Sequence, residues 1–77
     1  MNNVLMNIYA KEDDQVIYQF PDNGYHHHQQ TAQKYLIIGQ VYTVSYTDIH
    51  NLSTNVYLKE FPQIRFNSVL FSDYKDE

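Results

Sequence analysis

Gln40-Val41-Tyr42-Thr43-Val44-Ser45-Tyr46-Thr47-Asp48-Ile49 alternates from one end to the other. Tyr42, Val44 and Tyr46 fall on one side, and Val41, Thr43, Ser45 and Thr47 fall on the other, which is the period of a strand. β-Branched and aromatic residues suit a pleated, half-buried surface, so this segment predicts a strand with one face on a core. The stretch His50-Asn51-Leu52-Ser53 reads as a connecting loop. Residues Thr54 to Phe61 then alternate again, with Val56 and Leu58 facing one way and Tyr57 and Lys59 the other, which makes a hairpin.

Downstream, Pro62 pushes Phe61 toward an extended conformation and turns the chain, so that Ile64 to Phe66 returns as a short strand. Val69, Leu70 and Phe71 supply the last apolar segment, and the tail from Ser72 to Glu77 is expected to fray. Val44, Val56, Leu58 and Phe71 are the expected core. Upstream, β-branched residues nearly vanish between Tyr25 and Tyr35, where Gln29, Gln30, Ala32, Gln33 and Lys34 are acceptable helix formers. A short helix is predicted there, with Tyr25, Ala32, Tyr35 and Leu36 facing inward and a stop near Gly39. Phe20-Pro21-Asp22-Asn23-Gly24 is a turn before it. Val4 to Ile8 and Val16 to Phe20 each alternate, and they are predicted to pair as a first hairpin around Lys11-Glu12-Asp13-Asp14.

The expected fold class is therefore mainly β: a small antiparallel barrel of about five strands with one short helix, in a single domain. Its 77 residues leave no room for a second core. With no cysteine there is no disulfide framework and no thiolate metal site. No apolar run approaches the ~20 residues of a membrane-crossing helix, and Met1-Asn2-Asn3 lacks the basic start of an export signal. The expected location is the cytoplasm. Nine acidic against five basic side chains give a net charge of −4, which repels a phosphate backbone.

Asn23-Gly24-Tyr25, Tyr35-Leu36, Gly39-Gln40, Tyr42-Thr43-Val44, Ser53-Thr54, Val56-Tyr57-Leu58, Glu60-Phe61-Pro62 and Phe66-Asn67-Ser68-Val69 followed by Phe71 form a distinctive series. In these pieces the chain resembles small bacteriophage- and prophage-encoded proteins of no settled activity, whose second half reads as an SH3-like barrel. The resemblance implies a phage origin, an SH3-like antiparallel barrel and residence in a bacterial host cell. It implies no mechanism.

Three constellations invite a chemical reading, and each has a simpler one. His26, His27 and His28 carry the commonest metal-ligating side chain, but adjacent helical residues fan out by about 100° each, whereas metal-binding helices place ligands at i and i+4. A solvated polar helix start explains them. Asp48, His50 and Ser53 hold the residue types of a nucleophilic triad, but they share one loop with no nucleophile elbow, and turn chemistry closing the hairpin accounts for them. Glu12, Asp13 and Asp14 sit at an exposed turn, where carboxylates serve solubility. No catalytic residue, metal ligand or cofactor is assigned, and the protein is expected not to be an enzyme.

The tyrosines point elsewhere. Tyr9, Tyr18, Tyr25, Tyr35, Tyr42, Tyr46, Tyr57 and Tyr74 are eight rings in a domain small enough to bury only about 60% of its unfolded surface. Some rings must be exposed, and exposed tyrosine is a preferred contact residue in protein interfaces. The expectation is a nonenzymatic phage accessory protein that binds a host or phage protein, or a second copy of itself, through Tyr46, Tyr57, Lys59 and Arg65. The rival class is a small nucleic-acid-binding barrel using aromatic stacking, which the acidic balance opposes.

Overall fold

A computed structural model describes residues 4–75 of the chain. The chain forms five strands, β1 (Gln15–Tyr18), β2 (Val41–Ile49), β3 (Thr54–Leu58), β4 (Phe61–Asn67) and β5 (Phe71–Asp73), one helix, α1 (His26–Tyr35), and a 3-10 turn (Ser68–Leu70). They form a single antiparallel sheet in the order β4-β3-β2-β1-β5. The mainly β class with one short helix holds. The barrel does not close, because β4 and β5 remain the two edges of an open sheet.

The first hairpin is not formed. Residues 4–10 contain no strand, and the reason is that β1 has both of its edges occupied. On one side Val16 pairs with Tyr42 of β2, and on the other Ile17 pairs with Ser72 of β5. The N-terminal segment instead touches β5, where Met6 N–H donates to Phe71 C=O at 2.9 Å and Asn7 N–H to the Asp73 carboxylate at 3.1 Å. The same pairing corrects the expectation of a frayed tail from Ser72. Ser72 is buried, Ser72 and Asp73 belong to β5, and Tyr74 N–H donates to Gln15 C=O at 3.0 Å. Residues 76–77 of that tail lie outside the described residues.

Val16, Val44, Val56, Leu58, Leu70 and Phe71 are all 0% exposed, so the four residues expected in the core are there. Alternation accounts for β3, where Thr54, Val56 and Leu58 point inward. In β2 it fails at one point. Val44 pairs with Leu58, but the next pair is Tyr46 with Tyr57, so the register shifts and Ser45 is the extra residue. Such a bulge turns the following side chains over. Tyr46 therefore points outward at 53% exposure instead of continuing the Tyr42-Val44 face. Thr47 is half-buried, and its hydroxyl donates to Ile8 C=O at 2.9 Å.

Helix α1 occupies the expected stretch but stops at Tyr35, with Leu36 as its C-cap, and not near Gly39, which at φ +87° instead returns the chain to the sheet. That left-handed conformation is nearly free only for glycine, and it lets Gly39 N–H donate to Tyr18 C=O at 2.7 Å as β2 begins beside β1. Ala32 and Leu36 are buried as expected, whereas Tyr25, at 74% exposed, faces away from the core. Tyr35 lies at the margin, with its ring 5.5 Å from that of Phe61 and 6.5 Å from that of Phe66. These contacts seat the helix on β4. Pro62 lies within β4 and not beyond a strand end, which the open edge permits because a proline there forfeits no required ladder bond.

Candidate functional site

Asn23-Gly24-Tyr25 and Phe66-Asn67-Ser68-Val69 are far apart in sequence and meet in the fold. Asn23 Nδ2 donates to Val69 C=O at 2.8 Å. Gly24 takes φ +79°, and a Cβ built on it would lie 3.1 Å from His28 Nδ1, so both the backbone and the close imidazole call for glycine. Gln29 Nε2 donates to Asp22 C=O at 2.8 Å and ties the turn to the helix that follows. Asn67 accepts from Val69 N–H through Oδ1 at 3.1 Å, which orients its Nδ2 toward His28 Nδ1 at 3.2 Å. His28 Nδ1 also accepts Tyr25 N–H at 3.1 Å. With two donors aimed at Nδ1, the neutral ring carries its proton on Nε2. Burial, and then the neighbouring His27, hold the His28 pKa below the ordinary histidine value.

This junction forms the floor of a cleft of about 700 Å³. Leu5, Tyr25, Leu52 and Val69 supply its apolar walls, and Ser53 and Asn67 supply polar groups. Leu52 is 99% exposed at the tip of the β2–β3 loop, and Tyr25 stacks beside His27 with ring centroids 6.1 Å apart and planes at 18°. His27 and His28 are themselves 4.1 Å apart. A second depression, of about 460 Å³, shares His27, His28 and Ser53 with the first and adds Thr31, His50, Asn55 and Arg65. His50 Nε2 is 3.0 Å from Asp48 Oδ2, and the backbone N–H of His50 donates to Ser53 C=O at 2.9 Å. Those bonds close the β2–β3 loop, as turn chemistry would.

The four residues expected to bind a partner separate. Tyr46 and Tyr57 come together on the outer face of β2 and β3, stacked at 4.6 Å with their planes 9° apart. Lys59 is engaged within the chain, 2.6 Å from Asp13 Oδ1 and 3.0 Å from Glu12 Oε2. Hydrogen bonds to Asp13 and then Glu12 hold its pKa above the ordinary lysine value. The acidic turn is thus fastened to the end of β3 and is not a merely solvated tip. Arg65 lines the second depression, and among the described residues it has no ion-pair partner.

Among the described residues no three His, Asp or Glu side chains converge as a metal site would require. Sequence reasoning passed over Leu52 and faced Tyr25 the wrong way. The available signal was Leu52 itself, an apolar residue flanked by Asn51 and Ser53 in a loop that needs none. No helix among the described residues is long and apolar enough to cross a membrane.

Comparison with curated proteins and with solved structures gives no match. The family model described as bacteriophage T4 protein Y07B matches residues 7–77, which include both halves of the interlocked junction, and the chain belongs to that phage protein family.

Proposed function

We propose that this is a nonenzymatic phage accessory protein that acts in the bacterial cytoplasm by binding a host or phage protein. The strand order β4-β3-β2-β1-β5, with a 3-10 turn between β4 and β5, supports reading the sheet as an open SH3-like half-barrel. The observation that carries the functional reading is the cleft rim. Leu52 at 99% exposed and Tyr25 at 74% exposed flank a cleft of about 700 Å³. Apolar side chains held open around a concavity, with a few fixed polar groups on its floor, are the usual make-up of a recognition site. The rigid junction of Asn23, His28, Asn67 and Val69 keeps that concavity formed before any partner arrives, which lowers the ordering cost of binding. The outer Tyr46–Tyr57 stack is a further contact surface for the same role.

Co-purification from phage-infected bacteria tests the proposal. Wild-type protein should retain a partner that Leu52→Asp loses, and because Leu52 touches almost nothing the variant should keep its fold. Retention of the same partner in the same amount by the variant would contradict the cleft assignment.

A further inference from the structure

The charge around the cleft is the reverse of that of the chain. Nine acidic side chains outnumber five basic ones in the sequence, yet among the described residues no carboxylate lines any of three adjoining depressions that share His27. The first is the apolar cleft of Tyr25 and Leu52. The second holds Arg65 and His50, and the third, of about 410 Å³, holds Lys34. Thr31 lines both the second and the third, so the depressions follow one another along the exposed side of α1. Arg65 is free of ion pairs among the described residues, whereas Lys59, the residue just after β3, is already paired with Glu12 and Asp13. His50 has Asp48 as its partner, which leaves Arg65 and Lys34 as the positive groups of this face without an ion pair among the described residues.

We propose that this groove takes an extended acidic peptide segment of the partner, with an apolar side chain seated between Tyr25 and Leu52 and carboxylates directed to Arg65 and Lys34. The inference rests on the cleft reading above and adds the chemistry of the occupant. Charge complementarity selects it. Arginine makes strong charge-assisted bonds to carboxylates, and the neighbouring amides and hydroxyls of Asn55, Thr31 and Ser53 match a peptide backbone. The open edge of an apolar cleft beside a cation discriminates between an acidic segment and a neutral one by what would otherwise remain unpaired.

Isotope-edited NMR on the full chain tests it with defined probes. The acetylated, amidated peptide Gly-Phe-Gly-Glu-Glu-Gly should shift the amide signals of His27, Thr31, Leu52 and Arg65. The Gln-Gln analogue and the Arg65→Ala variant should each bind about tenfold more weakly, as expected for loss of a charge-assisted contact. Replacing the probe's Phe by Ala should weaken it as well. Equal binding of the Glu and Gln peptides, shifts confined to another face, or tighter binding of a single-stranded oligothymidylate would overturn the inference. Those outcomes leave the Leu52→Asp capture experiment untouched, so failure of the peptide chemistry is distinguishable from failure of the cleft as a docking site.

Discussion

Asn67 reaches His28 across the end of the sheet, Nδ2 to Nδ1 at 3.2 Å, and so couples the start of the helix to the end of β4. A proton added to His28 must go to Nδ1, the atom that accepts from both Asn67 and Tyr25. Protonation therefore replaces two acceptor contacts by repulsion, in the same direction as the effects of burial and of His27.

Stability should consequently fall on mild acidification. The His28 pKa is lower in the folded chain than its ordinary value of 6.5, so the unfolded chain binds the proton first. The contribution of the junction is complete above the unfolded value and is lost as the pH falls from there toward the folded one. Urea midpoints measured at about pH 7.5 and about pH 5.5 should differ more for the wild type than for His28→Ala. An equal difference in the two proteins would remove His28 from this role.

Tyr18 presents the opposite situation. Its ring is 1% exposed and packs 6.0 Å from Phe71, yet its buried hydroxyl has no hydrogen-bond partner among the described residues. Burial, followed by Asp22 and Tyr42, raises its pKa. An unpaired buried hydroxyl costs about 1 to 3 kcal/mol, so Tyr18→Phe should leave stability unchanged or raise it by about 1 kcal/mol. A loss of that size in chemical denaturation would show that the hydroxyl is bonded.

In the core, Leu58→Ala should cost about 2 to 5 kcal/mol and Val56→Ala somewhat less, because both side chains are fully enclosed. A loss below about 0.5 kcal/mol, the range of ordinary surface changes, would contradict their placement.

The outer tyrosines combine two effects. Stacked rings are worth about 0.5 to 1.5 kcal/mol beyond their buried area, so a double-mutant cycle on Tyr46→Ala and Tyr57→Ala should return a coupling of about 1 kcal/mol. If this face also contacts the partner, both variants should weaken capture while remaining folded. Normal capture by both would confine the pair to a structural role.

Much of the sheet was legible because it rests on local periodicity. Val44, Val56 and Leu58 declare their face within a few residues, and the lapse of β-formers between Tyr25 and Tyr35 marks the helix. Tyr46 was misplaced relative to Val44 because the bulge at Ser45 comes from pairing with β3, and nothing in the local sequence announces it. Lys59 looked like a free cation because its partner Asp13 is 46 positions away. The N-terminal alternation suggested a strand that β5 displaced, since a competition for the edge of β1 is settled by topology. The cleft was hidden for the same reason. The meeting of Asn23 with Val69, and of His28 with Asn67, exists only once β4 and the 3-10 turn come back beside the helix.

The account turns on where a partner sits, and site-specific photocrosslinking in phage-infected bacteria reads that position directly. A photoreactive amino acid placed at position 52, at the cleft rim, should yield a discrete crosslinked protein adduct that Arg65→Ala diminishes. Discrete adducts formed from position 46 on the outer sheet face and none from position 52 would contradict the cleft assignment, and an absence of adducts from both would contradict protein binding by either surface.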